Sequence, residues 1–210
     1  MQYDAVCLTY SRVFIFTILK YFHTDFGLEL VDCGTGYSVK IVEGSVYFGN
    51  EPNPTVTFDK SFRNIIIMMS PCDDTVIVQE TFDNSESIGI LTGKGDDLIE
   101  IGTLNSAFDT EIGAPVVVDA GYGTDKLIIY DDNSAVITKK QEVLPTLVRG
   151  IHDNENHTVS YFHVEEMEIY LSQCDVEVRS TAKDSLLTVD CNKESFVNVT
   201  TTQVSTRERC

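Results

Sequence analysis

The chain has 210 residues, 42% of them apolar and 10% aromatic, a composition that belongs to a folded protein with a sizeable core. Against 15 Lys and Arg stand 33 Asp and Glu, a formal net charge of −18. Such a surface repels nucleic acid and anionic lipid and attracts cations, so nucleic-acid binding is excluded. No stretch of about 20 apolar residues occurs, so no transmembrane helix and no membrane insertion are expected.

The first apolar run, Val13-Phe-Ile-Phe-Thr-Ile-Leu19, reads as a buried strand; Asp4 upstream and the lack of a small-x-small site downstream argue against a signal peptide. Gly34-Thr-Gly36-Tyr-Ser38-Val39 follows, a glycine turn leading into a strand. Then come Phe62-Arg-Asn-Ile65-Ile-Ile67-Met-Met69-Ser70-Pro-Cys72-Asp73 and, directly after it, Asp74-Thr-Val76-Ile-Val78, both alternating with period two. The next two segments are alike: Gly93-Lys-Gly95-Asp-Asp97-Leu-Ile99-Glu-Ile101 and Gly121-Tyr-Gly123-Thr-Asp125-Lys-Leu127-Ile-Ile129. Both read G-x-G-x-D-x-φ-x-φ, with φ apolar, and Asp74 keeps the second half of the pattern. Gly150 to His163 is polar and reads as a loop. Beyond it, Val164-Glu-Glu-Met167-Glu-Ile169-Tyr-Leu171-Ser172-Gln-Cys174-Asp175 aligns without a gap to the segment from Phe62 to Asp73. Val189-Asp-Cys191-Asn-Lys193-Glu-Ser195-Phe-Val197-Asn-Val199 likewise aligns to Leu91–Ile101, having lost the glycines and the aspartate.

Repeats of this kind decide the fold reading. Helical periodicity with caps is nearly absent, and the short φ-x-φ segments are strands. Gly-x-Gly before a strand supplies a tight turn, because glycine enters positive φ without a steric penalty. Strand, turn and strand repeating every 20 to 30 residues suits an all-β, right-handed parallel β-helix (a β-solenoid), whose coils bury their inward residues only against their neighbours. Equivalent strands would lie about 4.8 Å apart. A β-sandwich is the alternative, though it gives no reason for the same turn to recur. The whole chain, residues 1–210, is expected to be one solenoid segment, with an internal duplication of about 30–130 and 131–200. Neither end carries a polar capping signature, which favours a piece of a longer array with neighbouring coils at its edges.

The Gly-x-Gly-x-Asp-x-φ turns resemble the nonapeptide of repeat-in-toxin calcium-binding proteins, with Thr92 and Ala120 in place of its first glycine. The succession of segments, with Val-Val-Val-Asp-Ala-Gly-Tyr-Gly-Thr-Asp-Lys-Leu-Ile-Ile-Tyr-Asp-Asp at 116–132, is similar to large bacterial and algal surface proteins built on a parallel β-helix. The resemblance covers roughly residues 30 to 200. Toxin motifs run back to back, whereas these are more than 20 residues apart, which favours longer coils over a toxin-type calcium roll. The resemblance implies an extracellular or cell-surface setting, an adhesive or structural role, and polysaccharide or other surface proteins as partners.

Two readings of the turn aspartates stand side by side. In one, Asp97 and Asp125, extended by Asp74, stack carboxylates at one corner, and Gly93, Gly95, Gly121 and Gly123 with their carbonyls complete an oxygen shell for Ca²⁺. Asp73, Asp96, Asp131 and Asp132 add negative charge nearby. Carboxylates about 5 Å apart repel by roughly 3 kcal/mol at an effective dielectric near 20, which a bound cation would remove. In the other, the aspartates are turn residues whose side chains hydrogen-bond their own backbone, with no metal.

A catalytic role has less support. Polysaccharide lyases, hydrolases and epimerases on this fold need paired carboxylates and usually a basic residue. No arginine lies in the Gly-x-Gly-x-Asp turns, and Lys94 and Lys126 sit at x positions expected to face solvent. His23, His152, His157 and His163 form no metal-binding pair, and no nucleophile elbow or phosphate loop is present. The six cysteines, Cys7, Cys33, Cys72, Cys174, Cys191 and Cys210, contain no CxxC pair. Cys72 and Cys174 hold equivalent repeat positions and are expected to be buried thiols. Two sequons, Asn156-His-Thr158 and Asn198-Val-Thr200, are weak signals.

Overall fold

The computed structural model describes residues 13–20, 23–30, 36–82, 84–104, 108, 112–131, 141–149, 158–171, 175–178, 186–191, 196–199 and 204–208, with backbone alone at 13–20, 23–25, 141, 175–178, 191, 196–199 and 204–208. The described elements are all strands. In the first part of the chain these are β1 (Val13–Lys20), β2 (His23–Leu30), β3 (Ser38–Val42), β4 (Ser45–Phe48) and β5 (Val56–Thr57). The middle holds β6 (Phe62–Met68), β7 (Thr75–Glu80), β8 (Ser87–Leu91), β9 (Leu98–Ile101), β10 (Val116–Asp119) and β11 (Lys126–Asp131). After these come β12 (Gln141–Leu144), β13 (Leu147–Arg149), β14 (Val159–Phe162) and β15 (Glu166–Leu171). The last are β16 (Asp175–Val178), β17 (Leu186–Cys191), β18 (Phe196–Val199) and β19 (Val204–Glu208).

The protein is all-β, and its strands form two mixed sheets. One runs β1-β2-β6-β8-β10-β14-β13-β12-β16-β18 and the other β19-β17-β15-β11-β9-β7-β3-β4-β5. From β6 to β11 the chain alternates between the sheets, and each strand pairs in parallel with the strand two places on. The pairing keeps inward residues in columns. Ile65, Ile88, Val116 and Val159 share one column, and Val76, Ile99, Leu127, Met167 and Leu187 share another. Inward residues of both sheets belong to a single buried apolar cluster. Alternation explains this: with period two, one face of each strand is apolar and buries against the opposite sheet, and branched side chains suit the pleat.

Neither sheet is wholly parallel, which departs from the expectation of uniform coils. β1 and β2 pair antiparallel, as do β3, β4 and β5 in the second sheet and β12, β13 and β14 in the first. The β3–β4 connection has a local cause. Glu43 and Gly44 both take positive φ, 38° and 75°, which matches the twist of a two-residue hairpin. The run from Val13 is a strand, as expected. The stretch expected to be a loop before His163 contains β14, whose Val159 and Tyr161 point into the core.

The two long-range sequence matches fall on opposite sheets. Phe62–Met68 lies in the first sheet and its counterpart Glu166–Leu171 in the second; Leu98–Ile101 lies in the second sheet and its counterpart Phe196–Val199 in the first. An apolar alternation fits either sheet equally well, so matching sequence does not mean matching position. Cys72 is not a free thiol: it is disulfide-bonded. Cys174, Asp132, His152, His157 and the sequon at Asn156 lie outside the described residues.

Candidate functional site

The Gly-x-Gly-x-Asp segments stack directly on one another at one corner between the sheets. Tyr122 donates its amide to the Gly93 carbonyl at 2.9 Å, and Gly95 donates to the Tyr122 carbonyl at 3.0 Å. Lys94 and Tyr122 form an isolated parallel bridge between these turns. Glycine is required by how near the backbones come. At Gly121, with φ +93°, a Cβ would fall on the Gly93 carbonyl oxygen, and at Gly123 it would fall on that of Gly95.

Next to the glycines the three aspartates form a column. Asp74, Asp97 and Asp125 are buried, the last completely. Each reaches one turn back and accepts an amide. Tyr37 N–H donates to Asp74 Oδ1 at 2.6 Å, Asp74 N–H to Asp97 Oδ1 at 2.8 Å, and Asp97 N–H to Asp125 Oδ1 at 2.9 Å. Glu165 continues the column, taking the Asp125 amide on Oε2 at 2.9 Å. A second, exposed column runs in the opposite direction: Asp73 Oδ1 accepts from Asp96 N–H at 2.9 Å and Asp96 Oδ1 from Thr124 N–H at 2.8 Å. The spacings of 23 and 28 residues between partners are those of the sequence motif.

The second carboxylate oxygens differ along the column. Asp74 Oδ2 accepts from both the amide and the hydroxyl of Ser70, at 2.9 and 2.8 Å. Gly93 stacks on Ser70, and Gly121 on Gly93, so the next two turns have no hydroxyl at that place. The Thr92 hydroxyl lies beside the Asp97 carboxyl, where it counters part of the effect of burial, but its single proton is donated to the Ala120 carbonyl at 2.8 Å. Asp97 Oδ2 and Asp125 Oδ2 are consequently buried without a hydrogen-bond partner. Burial raises the pKa of Asp74 and of Asp97 above the ordinary carboxyl value, and it pushes Asp125 up to about 6.

At this corner two carboxylate oxygens, Asp97 Oδ2 and Asp125 Oδ2, are free of hydrogen bonds, fewer than a calcium shell needs. Ca²⁺ takes 6–8 oxygens. Here three Oδ1 atoms and the Gly93 carbonyl already accept backbone amides, and the Gly95 carbonyl is covered by Gly123. Among the described residues no three His, Cys, Asp or Glu come together as metal ligands. What the arrangement does chemically is hold amides of neighbouring turns, 23 and 28 residues away, rather than the turn's own backbone as the turn-residue reading expected.

Other residues singled out by sequence lie elsewhere. Asp131, at the far end of β11, is buried and accepts the Phe108 amide at 3.1 Å, so it adds no charge to this corner. Lys94 is exposed, and Lys126 pairs with Glu168 at 2.7 Å on the outer face of the second sheet. His163 follows β14 and contacts Asp119 at 2.8 Å, both side chains well exposed. Glu165 was missed because no Gly-x-Gly precedes it. An open cleft of about 920 Å³ lies away from the corner, lined by Glu43, Asp59, Lys60, Glu80, Phe82 and Asn84 among others. Asp59 is tied there to the amide of Ser61 at 2.8 Å.

No family model matches the chain, nor does any curated protein or solved structure.

Proposed function

We propose that the chain is a segment of a right-handed parallel β-helix with a mechanical and adhesive role, a stiff acidic module of a large secreted or cell-surface protein. Its partners on this reading are neighbouring coils of the same array, and extracellular polysaccharide or other surface proteins along its faces. The supporting observation is the in-register parallel pairing of every second strand from β6 to β11, resumed through β15, β17 and β19. A chain that steps between two sheets in this way buries each turn against the next, which is how solenoids gain stability. The right hand follows from the general rule for crossovers between parallel strands. The corner supports the same reading, since its carboxylates serve the stacking of turns.

The alternative is a polysaccharide-active enzyme on the same fold. The cleft beside Glu43, Asp59 and Glu80 favours it, since glycoside cleavage uses two carboxylates across the scissile bond. Incubation with neutral and acidic polysaccharides, followed for reducing ends and for unsaturated product, separates the two. The scaffold reading predicts no release, with any binding seen only as co-sedimentation. Release that Glu43→Gln or Glu80→Gln abolishes would replace it with the enzyme.

A further inference from the structure

We propose that Asp125, with Asp97 stacked on it, forms a proton-held pair: the corner takes up a proton when the turns stack, and loss of that proton loosens it. The inference stands on the contacts of the corner and does not need the scaffold reading.

Asp125 is 0% exposed and Asp97 2%, and each has one carboxylate oxygen bound to an amide and one without a partner. Ser70 supplies the missing donors at Asp74; at the other two turns glycine stands in its place. The charged groups around Asp125 are mostly of its own sign. Asp96 and Asp97 face it from the preceding turn and Glu165 from the following one. Glu166 follows Glu165, and both donate their amides to the Asp125 carbonyl. Asp73 and Asp74 lie behind Asp97. The lysines nearest in sequence do not compensate, since Lys126 is turned to Glu168 at 2.7 Å and Lys94 is exposed. A buried charge with no counter-charge is costly, and a carboxyl in such a place neutralises. A proton on the bare oxygen removes the charge and supplies a donor, while the amide bond on Oδ1 is kept.

The sign of the effect follows. Burial raises Asp125 from an ordinary 3.8 to about 6 in the folded chain. Its stabilising contribution is therefore complete below the ordinary value and lost as pH rises through about 6.

The test is thermal unfolding of the full chain between pH 4.5 and 8 with a chelator present throughout. From pH 5 to 7.5 the wild-type midpoint is expected to fall by about 3–5 °C. Asp125→Asn keeps an acceptor for the Asp97 amide and cannot ionise, so it should lose more than half of that fall. Glu51→Gln removes one charge from an exposed loop and should retain the fall, which separates the corner from general repulsion in a chain of net charge −18. A fall kept largely intact in Asp125→Asn, or a wild-type midpoint that rises over this range, would overturn the proposal. Should Asp125→Asn not fold, the carboxyl carbons of aspartate in the wild type are read by ¹³C NMR. At least one should titrate near pH 6, and titration of all of them below pH 5 would overturn it equally.

Discussion

At the scale of single residues, the aspartates of the Gly-x-Gly-x-Asp turns act as acceptors for the turn before them. Removing an acceptor strands a buried amide, which costs about 1–3 kcal/mol. Asp97→Ala is therefore expected to lower stability by that amount in urea unfolding, because it strands the Asp74 amide. Asp97→Asn, which keeps the acceptor, should lose much less. Equal losses for the two would mean that the hydrogen bond to Asp74 carries no weight. The glycines give a second prediction. Gly121→Ala places a methyl on the Gly93 carbonyl at positive φ and should cost at least about 2 kcal/mol by the same measurement. The motif, its spacing and the need for glycine were legible in the sequence. The destination of each carboxylate oxygen was not, because an amide 23 or 28 residues away becomes a partner only after the turns have stacked. Glu165 shows the same limit: it completes the column from a segment in which no glycine turn marks the place.

At the scale of elements, period-two alternation located β6, β7, β9 and β11, and the inward residues of these strands and of β8 and β10 between them lie in the core. Ile90 and Ile99 are fully buried, and either one changed to Ala should cost about 2–5 kcal/mol. Val117 lies on an outer face, 43% exposed, and Val117→Thr should stay within about 0.5 kcal/mol. Similar losses at all three sites would contradict the assignment of faces. Alternation says which residues share a face, and it does not say which sheet the strand joins. For that reason the likeness of Phe62–Asp73 to Val164–Asp175 was readable while its placement on opposite sheets was not. The hairpin β3–β4 did leave a mark, Glu43-Gly44 between alternating apolar residues, and a two-residue turn ending in glycine is a hairpin signal. The hairpin β12–β13 turns at Pro145-Thr146 and left none so plain. Its insertion stretches the step from β10 to β14 beyond the 23 and 28 residues that separate the earlier turns.

At the scale of the whole molecule, the acidic composition and the stacked turns pull in different directions. A net charge of −18 favours extension and attraction of cations, while each buried carboxylate at the corner is engaged by backbone. The resemblance to calcium-binding repeats follows the first of these. The geometry follows the second, since the Gly-x-Gly-x-Asp turn is accounted for by glycines that admit close backbones and carboxylates that bind amides. The central claim is that this corner holds the stack together from its own atoms. The most direct measurement is the thermal midpoint at pH 7.5 with excess Ca²⁺ and with chelator, for the wild type and for Asp97→Asn combined with Asp125→Asn. The account predicts the same wild-type midpoint in both solutions. A rise of the size expected from specific binding, about 2.7 kcal/mol at a hundredfold excess over Kd, that disappears in the double variant would contradict it and make the corner a calcium site.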